Sequence, residues 1–159
     1  MKKKINNLLK NKNQIYRGVW NTINSEMFID IIGKSGLDFI IIDNEHGFSN
    51  FTENYRILLA CESNNISCAI RLPEISQSEI LKASDLGFGC LHFPNVKNIN
   101  DIKKIIDFTN YSPKGKKGFS PFSRAYKFDR QSLSYNKPLN CIHVENTEII
   151  EKIDEILKF

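Results

Sequence analysis

Asp43, Glu45 and His46 place three ionisable groups within four residues, directly after the apolar run Phe39-Ile40-Ile41-Ile42 and directly before Gly47. A short apolar run reads as a buried strand, so this cluster falls at the strand's carboxyl end, where α/β folds keep their chemistry. An imidazole beside carboxylates is suited to moving protons near neutral pH. His46 is thus a candidate general acid or base, with Asp43 as the group that orients its ring. A structural role competes, in which Asp43 and Glu45 cap the next helix and His46 is an exposed loop residue. The density of ionisable groups at one strand end favours function.

The carboxyl ends of the other apolar runs add Trp20-Asn21, Arg71, Pro94-Asn95 and Glu145. Arg71 follows a buried strand and precedes Leu72-Pro73, a position from which its guanidinium can grip a substrate carboxylate through two hydrogen bonds. An ion pair with one of the neighbouring acids is the alternative of equal weight. Glu145 follows Ile142-His143-Val144 and is placed to offer oxygen to a divalent ion; helix capping competes, although Asn146 can take that job. Asp85 sits late in a helix, in Ala83-Ser84-Asp85-Leu86-Gly87, where the helix dipole disfavours an anion. That cost points to a partner such as Arg71, or more simply to solvent exposure.

Strands and helices alternate along the chain to position these residues. Gln14 to Trp20 reads as a strand and Ser25 to Lys34 as a helix, capped by Asn24 or Ser25, with Met27, Ile31 and Ile32 on its apolar face. The strand Phe39 to Ile42 follows, then a helix from a Thr52 cap to Cys61 with Tyr55, Leu58, Leu59 and Ala60 as its apolar positions. Ser67 to Ile70 is a third strand, ending at Arg71 before Pro73. Ser76 with Glu79 forms a capping box for a helix ending near Gly87. Cys90 to Phe93 is a strand stopped by Pro94, and Asn100 to Phe108 a helix. Asn110 to Lys137 lacks periodicity and reads as a long Gly, Ser, Pro and aromatic-rich loop, a length usually tied to function or motion. The strand Asn140 to Val144 and the helix Asn146 to Leu157 complete five strand-helix units.

Such a succession implies a parallel sheet with right-handed crossovers. Two architectures satisfy it, a doubly wound open sheet or part of a (β/α)8 barrel. The first strand lacks a GxGxxG turn, which argues against dinucleotide binding, and Gly87-Phe88-Gly89 reads as a tight turn between helix and strand.

At 159 residues, 41% hydrophobic and 25% charged, the chain reads as one globular domain over residues 1–159. Its apolar runs are shorter than the roughly 20 residues that cross a bilayer, and the start Met1-Lys2-Lys3-Lys4 leads into a segment too polar for a secretory signal. A cytoplasmic location without membrane partners is the expectation. The net charge of +4 is concentrated in Lys2 to Lys4 and Lys114-Gly115-Lys116-Lys117. These runs lack interleaved aromatics, so nucleic-acid binding is not expected. Cys61, Cys68, Cys90 and Cys141 show no CxxC spacing and fall in or beside apolar segments, as buried free thiols do.

Taken in order, the segments Gly18-Val19-Trp20, Gly36 to Gly47, Arg71-Leu72-Pro73, Ser84 to Gly89, Phe93-Pro94-Asn95-Val96, Tyr111 to Gly118 and Val144-Glu145-Asn146 bear a resemblance along essentially the whole chain. The chain resembles the HpcH/HpaI group of pyruvate-dependent class II aldolases, of the phosphoenolpyruvate/pyruvate-binding barrel superfamily, exemplified by 4-hydroxy-2-oxoheptanedioate aldolase. The acid-x-acid-His-Gly strand end is the most specific element. The resemblance implies a TIM barrel and a divalent metal, commonly Mg2+, Mn2+ or Co2+, that holds pyruvate through its carboxylate and keto oxygens. It further implies an enolate that adds to an aldehyde, with cleavage as the reverse. By the same resemblance His46 is the acid-base residue, acting through water with Asp43 as its orienting partner, and Arg71 stabilises the enolate oxygen. Glu145 is a metal ligand, Asp85 and Glu45 support the site, and Trp20, Arg71 and His143 face the substrate. The partners implied are a small 2-oxo acid and an aldehyde, in a homo-oligomer.

The chain also departs from the family's pattern. A complete barrel of this kind needs about 250 residues, so a partial (β/α)8 barrel of about five parallel βα units is expected, truncated after the fifth. The family's second metal-binding carboxylate, an aspartate on the next strand with a Gly-Pro-x-Asp-Leu type segment after it, falls beyond Phe159. His143 stands where the family usually carries glutamine, and Lys117 replaces the arginine of a Gly-x-Arg-Gly loop. Two readings follow: a lyase whose remaining strands are supplied from elsewhere, or a catalytically inactive partial barrel acting as a binding or oligomeric module. A small flavodoxin-like phosphate binder ranks last, for want of a Gly-rich phosphate loop.

Overall fold

The computed structural model describes Ile5, residues 13–129 and residues 137–159. The basic run Lys2 to Lys4 and residues 130–136 of the long loop lie outside the described residues. Five strands, β1 Gly18–Asn21, β2 Phe39–Asp43, β3 Ser67–Arg71, β4 Cys90–Phe93 and β5 Leu139–Ile142, pair in parallel in the order β1-β2-β3-β4-β5. That order decides between the two architectures. A doubly wound sheet reverses its direction of growth to place helices on both faces; a sheet that grows one strand at a time in one direction keeps them on one face, as a barrel does.

The helices are α1 Glu26–Lys34, α2 Phe51–Ser63, α3 Gln77–Leu86, α4 Ile99–Thr109 and the short pair α5 Thr147–Glu151 and α6 Ile153–Ile156. Residues of α1 to α5 join Ile40, Ile42, Ile70, Leu91 and Phe93 in the main hydrophobic core, which includes Ile29, Ile57, Ile80, Ile105 and Ile149. The opposite sheet face carries a much smaller cluster of Ile41, Ala69 and Cys90 with Phe39, Leu139 and Cys141 around it. Strand side chains alternate between faces, so Asp43, Arg71 and His92, two residues beyond Ile41, Ala69 and Cys90, share this inner face. The site is therefore built on the side away from the helices.

Local chemistry explains where most helices begin. Ser25, Asn50, Ser76, Asn98 and Asn146 each accept hydrogen bonds from first-turn backbone N–H groups. Asn50 and Glu53 form a complete capping box, which moves the start of α2 ahead of the expected Thr52 cap. Gly87 closes α3 at φ 94°, a left-handed position that favours glycine.

Several expectations need correction. On α1 the buried pair is Ile29 and Ile32, whereas Met27 and Ile31 are 73% and 63% exposed. On α2 the buried apolar residues are Ile57, Leu58 and Cys61, with Leu59 exposed. Each helix turns the stripe that meets the sheet inward, and propensity alone does not show which apolar residue that is. β1 begins at Gly18 and not at Gln14, because parallel pairing to β2 starts from the Gly18–Phe39 register. The last helix is broken at Lys152, and the long loop contains a 3-10 turn at Arg124–Tyr126. Cys61, Cys68 and Cys90 are buried and, with Cys141, are free thiols.

Candidate active site

After β2 the chain folds back on Asp43. The Asp43 Oδ1 accepts the backbone N–H groups of Glu45 at 3.0 Å and His46 at 3.3 Å. A Cβ on Gly47 would lie 2.0 Å from the Asp43 carbonyl oxygen, so this turn requires glycine for close approach. From β3, in register with Asp43, Arg71 donates through Nε to Oδ1 at 2.8 Å and through Nη2 to Oδ2 at 2.5 Å. Its Nη1 pairs with Glu45 Oε2 at 2.9 Å. Burial works to raise the Asp43 pKa, but the hydrogen bonds and charge of Arg71, with the two backbone donors, hold it below the ordinary carboxylate value. The Asp43 hydrogen bond likewise raises Arg71 against the opposing effect of its burial.

Two expectations are thereby revised. Arg71 is engaged with neighbouring acids, as the alternative reading had it, and Asp43 does not meet the His46 ring. The His46 side chain is 71% exposed, and its Nε2 is 3.8 Å from Glu45 Oε2. Glu45, not Asp43, is the carboxylate beside this imidazole. The physical reason is geometric: Asp43 ends the strand pointing inward at Arg71, while three residues of turn carry His46 out to the rim.

The β4 and β5 ends contribute the other side. Asn95 adopts φ 54° and bridges two acids, its backbone N–H donating to Glu145 Oε2 at 2.9 Å and its side-chain amide to Glu45 Oε1 at 2.7 Å. Asn146 caps α5 through an accepted N–H bond from Ile149 at 3.0 Å, so Glu145 is spared that role. His143 approaches Glu145 Oε1 with Nδ1 at 3.7 Å and stands with Nε2 3.2 Å from His92 Nδ1. Trp20, half-exposed at the end of β1, meets both imidazoles edge-on at 5.8 Å and carries the Arg71 guanidinium 4.7 Å from its ring centroid. Burial, with the neighbouring His143 and Arg71, pushes the His92 pKa down to about 4.

Sequence reasoning missed His92. The available signal was its place in Cys90-Leu91-His92-Phe93, two residues after an inward cysteine and two before Pro94, which puts a polar ring on the inner face.

Asp85 belongs to a second cluster. Its partner is Lys117, whose Nζ donates to Asp85 Oδ1 at 2.7 Å and to the Tyr111 hydroxyl at 2.9 Å, while Tyr126 donates to the Tyr111 hydroxyl at 3.1 Å. The expected Arg71 partnership is replaced because Arg71 is consumed by Asp43 and Glu45. The pairing fastens the long loop to the end of α3, which explains the anion at a helix carboxyl end.

The arrangement thus assembles Trp20, Asp43, Glu45, His46, Arg71, His143 and Glu145 at the carboxyl ends of consecutive strands. It offers a fixed cation, an accessible imidazole and acidic oxygens on one rim. Glu145, with 45% of its side chain exposed, can present oxygen to a cation. Among the described residues, no three of His, Cys, Asp and Glu converge as a ready metal-binding group. Also among the described residues, no helix is long and apolar enough to cross a membrane.

Comparison with known proteins gives a consistent result. A 5-keto-4-deoxy-D-glucarate aldolase from an Enterobacter species is 25% identical over 147 residues, covering 90% of this chain and 57% of that protein. A 2-keto-3-deoxy-L-rhamnonate aldolase from Escherichia coli is 27% identical over 152 residues, covering 92% of this chain and 57% of that protein. The chain therefore spans little more than half the length of these relatives. The crystal structure of an HpcH/HpaI aldolase/citrate lyase family protein from Burkholderia cenocepacia superposes with a TM-score of 0.85 at 21% identity, covering 94% of this chain and 62% of that one. The fold is accordingly a partial TIM barrel of five parallel βα units. Residues 17–159 match the family described as HpcH/HpaI aldolase/citrate lyase. With the family model matching nearly its whole length, the chain belongs to the HpcH/HpaI aldolase/citrate lyase family.

Proposed function

We propose that this chain supplies the principal part of the site of a carbon–carbon lyase that reversibly cleaves a 4-hydroxy-2-oxo acid to pyruvate and an aldehyde. The observation that carries the reading is the positioned cation Arg71, held by Asp43 and Glu45 beside the Trp20 wall and below the exposed His46. Family membership and the aldolase names of the relatives support it.

The donor set suits an oxygen-bound divalent ion such as Mg2+, Mn2+ or Co2+ only in part: Glu145 offers the oxygen, and a second carboxylate would come from outside the described residues. When bound, such an ion would polarise the 2-oxo group and acidify the adjacent carbon. Arg71 holds positive charge where the enolate oxygen develops, and its own position is set before substrate arrives because Asp43 accepts two of its hydrogen bonds and Glu45 forms an ion pair with a third nitrogen. His46 exchanges the proton, through water, from the rim. Asn95 keeps Glu45 and Glu145 in fixed relation, and Trp20 with His143 bounds the space for the substrate. Asp85 has a supporting part, holding the long loop through Lys117.

Incubating the purified, folded protein with Mn2+, pyruvate and a small aldehyde tests the reading. A metal-dependent aldol product is expected, and its absence from a demonstrably folded sample would count against lyase activity in this chain.

A second reading is a non-catalytic partial barrel that works as an oligomeric binding module, in a cytoplasmic setting. It is favoured by the sheet itself, whose β1 and β5 each pair on one side only among the described strands. Unpaired edges promote association, so a multimer is expected in light scattering, and a stable monomer would remove this reading.

A further inference from the structure

The inner face of the sheet carries a pair of imidazoles to which the lyase reading gives no proton or metal role, His143 serving there only as a wall of the substrate space. His92 from β4 and His143 from the end of β5 bring Nδ1 and Nε2 to 3.2 Å from each other. Two nitrogens bound to one divalent ion by bonds of about 2.0–2.1 Å stand about 2.8–3.4 Å apart for angles between square and tetrahedral. The observed separation falls within that interval, and a shared ion replaces the nitrogen-to-nitrogen hydrogen bond once each ring turns its nitrogen roughly 40° off the line that joins them.

A second, separate observation concerns the far side of His143. Its other ring nitrogen, Nδ1, faces Glu145 Oε1 at 3.7 Å. A histidine that ligates metal through one nitrogen commonly turns the other toward a carboxylate, which sets its tautomer and strengthens it as a donor. The nearest strong cation, Arg71, is compensated by Asp43 and Glu45, so its repulsion of a second cation is reduced. Trp20 packs edge-on against both rings and restricts their orientation. His92 lies within β4, and His143, one residue past β5, donates its backbone N–H to the Phe93 carbonyl at 2.9 Å, which ties the two backbones together.

We propose that His92 Nδ1 and His143 Nε2 form a two-imidazole seat for a borderline divalent transition ion such as Ni2+ or Zn2+. This nitrogen site differs in chemistry from the oxygen donor Glu145, which suits harder ions. The two protein ligands leave the remaining coordination positions open to water or an exogenous ligand. The seat does not depend on the lyase reading.

Calorimetry with Ni2+ on tag-free protein provides the test. Binding of one equivalent is expected, with affinity weakened roughly tenfold or more in His92→Leu and in His143→Gln. Unchanged affinity in both folded variants would overturn the seat, as would ready displacement of Ni2+ by excess Mg2+. Because the chain has only three histidines, imidazole NMR of the unmodified protein gives a readout that needs no variant. The His92 and His143 signals should shift or broaden with the first equivalent of Ni2+; a response confined to His46 would reject the proposal. Neither measurement uses turnover, so failure of the aldol assay and failure of this seat are separately visible.

Discussion

Asp43 and Arg71 are register partners on adjacent strands, and their side chains close a two-pronged ion pair at 2.8 and 2.5 Å. The pair is almost out of solvent, with side chains 5% and 14% exposed. Breaking such a pair from one side strands the remaining charge in a poorly solvated place. Arg71→Ala should therefore lower unfolding stability by about 3 kcal/mol. Arg71→Lys, which keeps the charge but loses the planar fork, should cost about 1.5 kcal/mol, the scale of one charge-assisted hydrogen bond. Urea unfolding of the two variants checks the order.

Asp43 also ties stability to pH. Its folded pKa lies below the ordinary value of 3.8, so its contribution is fully present above the unfolded pKa and is lost as pH falls through the lower folded value. Asp43→Asn cannot titrate. The stability difference between the wild type and this variant should be flat above about pH 5 and shrink as pH falls below about 4. A pH series of denaturant melts measures it, and a constant difference across that window would contradict the assignment.

The turn that carries His46 away from Asp43 rests on Gly47. A methyl group there would meet the backbone carbonyl of Asp43 at 2.0 Å, an atom that cannot rotate aside. Gly47→Ala should destabilise the fold by about 2–3 kcal/mol and displace Glu45 and His46 from their present positions. Thermal unfolding reports the first effect, and altered backbone amide NMR shifts over Asp43 to Gly47 report the second.

Lys117 and Asp85 form an asymmetric pair, because the Lys117 side chain is fully buried and that of Asp85 is 24% exposed. Asp85→Ala should cost about 3 kcal/mol, since it takes the carboxylate from a buried ammonium. Lys117→Met should cost about 1 kcal/mol, because an apolar chain fills the space and the carboxylate turns toward water. Equal losses in chemical unfolding would show that solvent access does not govern the pair.

His46 is the site residue with the least structural duty. Its side chain is 71% exposed, and its ring makes a 3.8 Å approach to Glu45. His46→Gln should change unfolding stability by no more than about 0.5 kcal/mol. If His46 moves the proton in an aldol reaction, the same variant should lower the metal-dependent rate by about 100-fold or more. Parallel melts and product assays separate the two effects.

The alternation of strands and helices was legible in the sequence because it is written locally. Apolar runs of four or five residues, capping residues such as Ser25, Ser76 and Asn146, and stops at Gly87 and Pro94 act over one turn of backbone. That information also placed Asp43, Arg71 and Glu145 at strand ends. It did not choose between a doubly wound sheet and a barrel, since both have the same local pattern and differ only in strand order.

Partnerships between distant residues were decided by the tertiary structure alone. Arg71 chose Asp43 and Glu45 because parallel register put β2 and β3 ends side by side. Asp85 was left to Lys117, 32 positions away, when the long loop returned to α3. His92 met His143 across 51 positions, because alternation on adjacent strands turns both rings to the same inner face. The sequence by itself determined which chemical groups stand at the strand ends. Only the folded sheet, through register and facing, decided which of them touch.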